Sequence, residues 1–195
     1  MKEEKQRQIP EIEVLEAELQ RVKYKKHYSK VLKSTIYALI TVAAVAVLVA
    51  VLLLPVLQIY GNSMGPKLAD GDIVVSVKGT TYEKGDMIAF YYNNKILVKR
   101  VIAQAGEWVD IDEEGNVYIN GEILAEPYLV EKSLGSCNIE LPYQVPEGRT
   151  FVMGDHRSVS VDSRNSAVGC VSEEQIVGEL VFRIWPVKSI GILTE

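Results

Sequence analysis

Three short stretches of this sequence hold the residue types that nucleophilic catalysis requires. The first is Tyr60–Leu68, in which glycines and a proline flank Ser63. A serine hydroxyl is a weak nucleophile until a neighbouring base removes its proton. The chain has two histidines, of which His156 is the candidate base, and a lysine can do the same work where burial lowers its pKa. Taken alone, Ser63 is better explained as a turn residue.

Lys99 is the candidate lysine base. It lies in the predicted strand Lys95–Ala103, where alternation places it and its neighbour Arg100 on opposite faces. Whichever face is buried, one of the two cations lies among apolar side chains. A buried lysine can lose its proton, whereas an arginine effectively cannot. The alternative is an edge strand on which both cations reach water.

The third stretch is the loop Gly154–Arg164, which carries two Asp-x-Arg units with Ser160 between them. By themselves the units predict ion pairs that hold the loop in place. Next to Ser63 and Lys99, the small Ser160 hydroxyl is suited to orient the base. The units are Asp155-His156-Arg157 and Asp162-Ser163-Arg164.

An uncharged apolar segment, Ile36 to Leu57, precedes the serine stretch. As a helix it would be about 33 Å long at roughly 1.5 Å per residue, enough to cross a bilayer core. A cleavable secretory signal has a shorter core followed by a small-residue cleavage site, and Gln58-Ile59-Tyr60 does not supply one. We therefore predict an uncleaved transmembrane helix over residues 35–57.

Charge predicts the orientation of that helix. Residues 1–34 hold nine Lys/Arg and six Asp/Glu, a net +3, whereas residues 58–195 hold twelve and twenty, a net −8. Basic residues stay on the cytoplasmic side, so the N-terminus is predicted inside and the larger part outside. The basic run is suited to contact membrane lipid. An acidic outer domain argues against nucleic acid as a partner.

Residues 1–34 are predicted to be a cytoplasmic, partly helical segment, because apolar residues recur at helical spacing between Glu11 and Lys33. We interpret this segment as a solvated helix rather than a dimerisation element. Residues 58–195 are predicted to form a mainly β domain. Its expected strands are 72–78, 87–92, 95–103, 108–112, 116–120, 150–153 and a last one at 178–185, with a capping box at 172–177.

The sequence gives little support for a metal site and leaves a disulfide open. The run Asp110–Gly115 resembles the start of a calcium loop, but the twelfth position, where a glutamate belongs, is Gly121. Cys137 and Cys170 both lie in the predicted outer part, where a disulfide is possible, and the sequence leaves their pairing open.

Together these stretches resemble the bacterial type I signal peptidases, a serine–lysine dyad leader peptidase family. The resemblance implies a membrane-anchored, largely antiparallel β domain outside the bacterial cell membrane. It also implies a serine endopeptidase that cleaves N-terminal signal peptides from exported preproteins without a metal or cofactor. The matching motifs are Gly61-x-Ser63-Met64-x-Pro66-x-Leu68, Lys99-Arg100-Val101-Ile102 and Gly154-Asp155-x-Arg157-x-x-Ser160-x-Asp162-Ser163-Arg164.

The resemblance assigns roles to single residues. Ser63 is implied to be the nucleophile and its backbone N–H an oxyanion donor, with Lys99 the general base and Ser160 its hydrogen-bond partner. Asp162, Arg164, Asp155 and Arg157 are implied to brace the site. For the substrate, we expect an added strand along Leu57–Ser63 and shallow pockets at Ile59, Met64 and Val98 that accept small residues.

The chain departs from the family pattern at three positions. Lys67 replaces the usual threonine and His156 the usual asparagine, neither at a catalytic position. Gly61 lacks the side-chain hydroxyl that some members use for the oxyanion. Two other interpretations stay open: a self-cleaving repressor-type serine–lysine peptidase, and a catalytically inactive membrane-tethered β domain that binds a partner.

Overall fold

The computed structural model describes residues 12–79 and 81–193, which divide into two compact units, Met1–Val51 and Leu52–Glu195. Helix α1, Ile12–Leu53, is continuous for 42 residues and has no buried side chain. Of the described residues, only α1 has a stretch long and apolar enough to cross a membrane, which is consistent with membrane anchoring. Glu11, the predicted helix start, lies outside the described residues.

The predicted end of the membrane helix at Leu57 is wrong by four residues. Helix α1 ends at Leu53, and Val56–Gln58 forms strand β1. Pro55 explains the break, because it lacks an N–H group and disfavours helical geometry at Leu54. The predicted capping box is present, since the Gln175 side chain accepts a hydrogen bond from the Ser172 N–H at 2.9 Å.

The second unit is a mainly antiparallel β domain, as predicted. One sheet has the order β1-β2-β11-β3-β4-β9-β10 with β12 beside β11, and a smaller sheet has the order β7-β6-β5-β8. The strands are β1 Val56–Gln58, β2 Ile73–Val77, β3 Met87–Tyr92, β4 Lys95–Ala103, β5 Trp108–Ile111, β6 Val117–Ile119, β7 Glu122–Ile123, β8 Tyr143–Gln144, β9 Arg149–Met153, β10 Val171–Ser172, β11 Ile176–Trp185 and β12 Gly191–Ile192.

All seven strand-forming stretches predicted from the sequence are strands. The predicted 178–185 strand begins earlier, at Ile176, and is not the last, because β12 follows it. Five strands of two or three residues were not predicted, since so short a run shows no alternation. They are β1, β7, β8, β10 and β12.

Strand β4 lies in the interior of the larger sheet, between β3 and β9, and not at its edge. Lys99 and Arg100 are 3% and 1% exposed, so the edge-strand alternative is wrong for both. Each face of β4 is covered by its own apolar core, which the alternation of the strand alone does not reveal. Cys137 and Cys170 are both free thiols.

Candidate active site

The segment that carries Ser63 is a loop closed at its base. The Ile59 N–H donates to the Asp72 carbonyl oxygen at 2.8 Å, and the Gly71 N–H donates to the Ile59 carbonyl oxygen at 2.9 Å. Within the loop, Met64 is 2% exposed and belongs to the core shared by β2, β3 and β11. The loop that carries Ser63 is therefore held by the backbone hydrogen bonds at its base and by the burial of Met64.

Lys99 and Ser63 meet directly. Lys99 Nζ donates to Ser63 Oγ at 2.6 Å, although 36 residues separate them in the chain. Burial lowers the pKa of Lys99 to about 8, the charges of Asp162 and Asp155 act to raise it, and that of Arg164 acts to lower it. With a pKa of about 8, on the order of a tenth of Lys99 is the neutral amine at pH 7, and the same short contact lets this form accept the serine proton.

His156, the rival base, is joined to Ser63 by a hydrogen bond between backbone groups. Its N–H donates to the Ser63 carbonyl oxygen at 3.0 Å, which ties the Gly154–Arg164 loop to the serine loop. The hydrogen-bond partner of Ser63 Oγ is the lysine. The geometry thus favours lysine as the base.

Ser160 is placed beside the site but does not make the predicted bond. Its Oγ is buried and has no hydrogen-bond partner in the described chain, so the predicted bond to Lys99 is absent. The hydroxyl still lies near enough to Asp162 to contribute, as the smallest effect, to lowering that carboxyl's pKa. Lys99 Nζ is directed at Ser63 instead, which leaves Ser160 as a buried hydroxyl near the base.

Residues of both Asp-x-Arg units form ion pairs. Only in Asp162-Ser163-Arg164 do the aspartate and the arginine of one unit pair with each other. Arg164 donates Nε to Asp162 Oδ1 and Nη2 to Asp162 Oδ2, both at 2.8 Å. Burial acts to raise the pKa of Asp162, and the bonds and charge of Arg164 outweigh it and lower that pKa. The Asp162 carboxylate therefore stays ionised, and its charge acts on the nearby Lys99.

Asp155 and Arg157 do not pair with each other, contrary to the prediction. Asp155 accepts from Arg100 Nε at 2.8 Å and from Arg100 Nη2 at 2.6 Å. Arg157 pairs instead with Glu126, through a short contact and a second bond of 3.2 Å. The partners come from β4 and from an irregular segment, so local spacing could not reveal them.

Glu126 and Tyr128 are site-supporting residues that sequence reasoning missed. The Tyr128 hydroxyl donates to Glu126 Oε1 at 2.9 Å, and the Arg100 Cζ atom lies 3.9 Å from the centre of the Tyr128 ring. Tyr128 thus joins two buried ion pairs, one on each side. No local signal marks it, because residues 124–148 show neither helical nor strand periodicity.

Arg183 of β11 is a second missed residue. Its Nη1 donates to the Lys67 carbonyl oxygen at 2.9 Å and to Asp72 Oδ2 at 3.0 Å. Asp72 Oδ2 also accepts the Ala69 N–H at 3.1 Å. Arg183 thereby fixes the part of the serine loop that follows Ser63. It does so from a strand that lies more than a hundred residues later in the chain.

A cleft of about 640 Å³ adjoins the serine and the lysine. The three residues expected to form substrate pockets, Ile59, Met64 and Val98, all line it. Its walls are β1 with the start of the serine loop and the first half of β4. The cleft is therefore mostly apolar, and Ser63 and Lys99 are part of its lining.

Comparison with known proteins shows the family of this chain. The family model for signal peptidases of peptidase family S26 matches residues 32–185. The chain is 36% identical over 162 residues to signal peptidase I of Bacillus amyloliquefaciens, covering 76% of this chain and 83% of that protein. It is 38% identical over 149 residues to signal peptidase IB of Staphylococcus aureus strain COL, covering 66% and 76%. The chain belongs to the S26 family of signal peptidases and is a serine peptidase, a hydrolase.

A crystal structure of signal peptidase I from Enterococcus faecalis V583 is also similar. It shares 31% identity, with a TM-score of 0.43, over 52% of this chain and 97% of that one.

Gly154 is a position where any side chain is expected to disrupt the site. A Cβ there would overlap the Ser160 side chain and lie 2.5 Å from the Ser63 carbonyl oxygen. We expect Gly154→Ala to lower kcat/KM for a preprotein by about 100-fold, since a displacement of roughly 1 Å costs about that much. Gly191→Ala is the control, because nothing lies within 4 Å of its added Cβ. Equal activity of the two variants would contradict the packing argument.

Glu126→Gln is expected to destabilise the β domain by about 3–5 kcal/mol, because it leaves the buried Arg157 cation without its counter-charge. Both side chains of this pair are 1% exposed. Urea unfolding in detergent measures the change. Glu107→Gln, which removes the partly exposed pair with Lys84, is the matched control with an expected loss of about 0–1 kcal/mol. Similar losses in the two variants would rule out a structural role for the buried pair.

Proposed function

We propose that this chain is a membrane-bound signal peptidase that cleaves N-terminal signal peptides from exported preproteins with a Ser63–Lys99 dyad. The observation that carries the proposal is the 2.6 Å contact between Ser63 Oγ and a buried lysine whose pKa is lowered to about 8. The names of the relatives, signal peptidase I and IB, support the substrate class.

The substrate enters as an extended chain. Strand β1 is an edge strand of the larger sheet, paired with β2 on one side only. A preprotein's cleavage region adds along Leu57–Ser63 as a further strand and places small side chains in the apolar cleft. Ile59 and Met64 are buried, which makes the pockets shallow, so alanine-sized residues fit and larger ones do not.

Neutral Lys99 removes the proton from Ser63 Oγ as that oxygen attacks the scissile carbonyl carbon. An acyl-enzyme forms and the mature protein leaves, taking the proton on its new amino group. Lys99 then deprotonates a water molecule that attacks the acyl carbon; the ester bond to Ser63 Oγ breaks, Lys99 returns the proton to this oxygen, and the signal peptide leaves with a new carboxylate. Asp162, Arg164, Asp155 and Arg157 act as supporting residues. Ser160 contributes a buried hydroxyl group near Lys99.

The Ser63 N–H is the proposed oxyanion donor. It has no acceptor among the described residues, so it is available to a developing negative charge. Gly61 offers no hydroxyl, and its own N–H is bound to Asp70 Oδ1 at 2.6 Å. One such donor contributes roughly 3 kcal/mol to transition-state stabilisation.

We further propose the membrane topology. Residues 1–34 lie in the cytoplasm, the membrane span lies within residues 35–57 with its helix ending at Leu53, and residues 58–195 form the catalytic domain outside the bacterial cell membrane. The basic residues before the span support this orientation and a contact with membrane lipid. Such an anchor keeps the nucleophile near substrates that are themselves in the bilayer.

Substitution of the dyad tests the proposal directly. In cleavage of a preprotein by the full-length protein, we expect Ser63→Ala and Lys99→Ala to lose about 10⁴-fold or more in kcat. Lys99→Arg is expected to be equally inactive, because arginine cannot become a neutral base. His156→Ala is expected to retain cleavage. Normal cleavage by Lys99→Ala with loss in His156→Ala would favour the histidine triad, and normal cleavage by Ser63→Ala would remove this site from the reaction.

The lysine base also predicts a pH dependence. The active form is the neutral amine, which predominates above its pKa, so kcat/KM is expected to rise with pH through about 8 and then level off. Initial rates between about pH 6 and 10 give the midpoint. A midpoint near 6.5, the ordinary value for histidine, would contradict a lysine base.

A further inference from the structure

A second cleft, of about 610 Å³, adjoins the first, and the two share Tyr60, Ser63, Lys95, Leu97 and Lys99 in their linings. One of its walls is the end of the β3–β4 hairpin, and the other is the loop between His156 and Val168. Its lining also includes Tyr92, His156, Val159, Val161 and Val168.

Hydrogen bonds hold the two walls in place. The Tyr92 hydroxyl on the hairpin donates to the Ala167 carbonyl oxygen of the loop at 3.0 Å. The backbone bond from His156 to Ser63, at 3.0 Å, joins the same loop to the nucleophile. The cleft is therefore preformed and keeps a fixed position relative to the serine.

The chemistry of this cleft is apolar and positive. Val159 and Val161 are 56% and 51% exposed at its surface. Its lining includes two lysines and a histidine but no aspartate or glutamate. Lys95 is exposed and forms no ion pair within residues 12–79 and 81–193. A carboxylate on an otherwise apolar peptide would complement this lining.

A polypeptide cut at Ser63 must extend from the nucleophile in both directions. If the residues before the cut occupy the cleft of Ile59, Met64 and Val98, as the proposed function requires, the residues after the cut leave across the second cleft. An extended chain advances roughly 3.3 Å per residue, so the first three residues after the cut lie along it.

We propose that this second cleft is a leaving-side subsite for the first residues of the mature protein, and that Lys95 makes it favour an acidic residue there. Lys95 is a specificity-determining residue and takes no part in bond making or breaking. Because the pair it forms is exposed, each charge contributes a factor of about 1.5 to 5 in kcat/KM. The preference weakens as salt screens the charges.

The test uses the full-length protein in detergent and preproteins that differ only in having Glu, Gln or Lys at one of the first three mature positions. We expect kcat/KM to follow the order Glu, Gln, Lys at one or more of these positions. Lys95→Gln should remove the preference, and Lys95→Glu should reverse it. Lys132→Gln, which removes a lysine bound to Asn116 away from both clefts, should leave the ratios unchanged.

Equal kcat/KM for the three substrates in the wild-type protein would overturn the inference, as would an undiminished Glu preference in Lys95→Gln or Lys95→Glu. If a Lys95 variant fails to fold, the kcat/KM ratios of the three substrates in the wild-type protein, and their dependence on salt, still test the inference. Because the inference depends on the proposed function, Ser63→Ala is assayed in parallel. Ser63-dependent cleavage without a charge preference refutes only the subsite, whereas cleavage by Ser63→Ala refutes the proposed function.

Discussion

The chemistry of the candidate site depends on the burial of one lysine, Lys99, against one serine, Ser63. A charged ammonium is costly to bury, so the interior of the domain favours the neutral form of Lys99 and lowers its pKa to about 8. Its 2.6 Å contact with Ser63 then joins the proposed base to the proposed nucleophile. Because β4 is an interior strand, neighbours on both sides fix the position from which this lysine reaches the serine.

Three buried arginine–carboxylate pairs lie in the same domain, and each is held by two side-chain hydrogen bonds. Removing these charges from water costs free energy. The attraction and the paired hydrogen bonds between each guanidinium and its carboxylate offset this cost. They also connect distant parts of the chain, since β4, the Gly154–Arg164 loop and the segment of Glu126 and Tyr128 meet there. The pairs are Arg100–Asp155, Arg157–Glu126 and Arg164–Asp162.

Sequence reasoning was most successful where a motif or a periodic pattern is local. Ser63, Lys99 and the Gly154–Arg164 loop were found by their residue types and by family resemblance, and the longer strands by alternation and β-branched residues. It failed where a partner was distant. Asp155 was expected to pair with Arg157, two residues away, but its partner is Arg100, and the bond expected between Ser160 and Lys99 is absent. Neighbouring charges in a loop need not face each other once tertiary partners compete for them.

By itself, the sequence determined the apolar helix, the β character of the rest and the candidate catalytic residues, because hydrophobic periodicity and motif spacing are properties of short segments. Only the tertiary structure decided that β4 is an interior strand, that Lys99 reaches Ser63 rather than Ser160, and that Glu126, Tyr128 and Arg183 support the site. These outcomes depend on which distant segments pack together. The packing of distant segments is determined by the burial of apolar surface and charge over the whole domain, and no local sequence pattern contains that information.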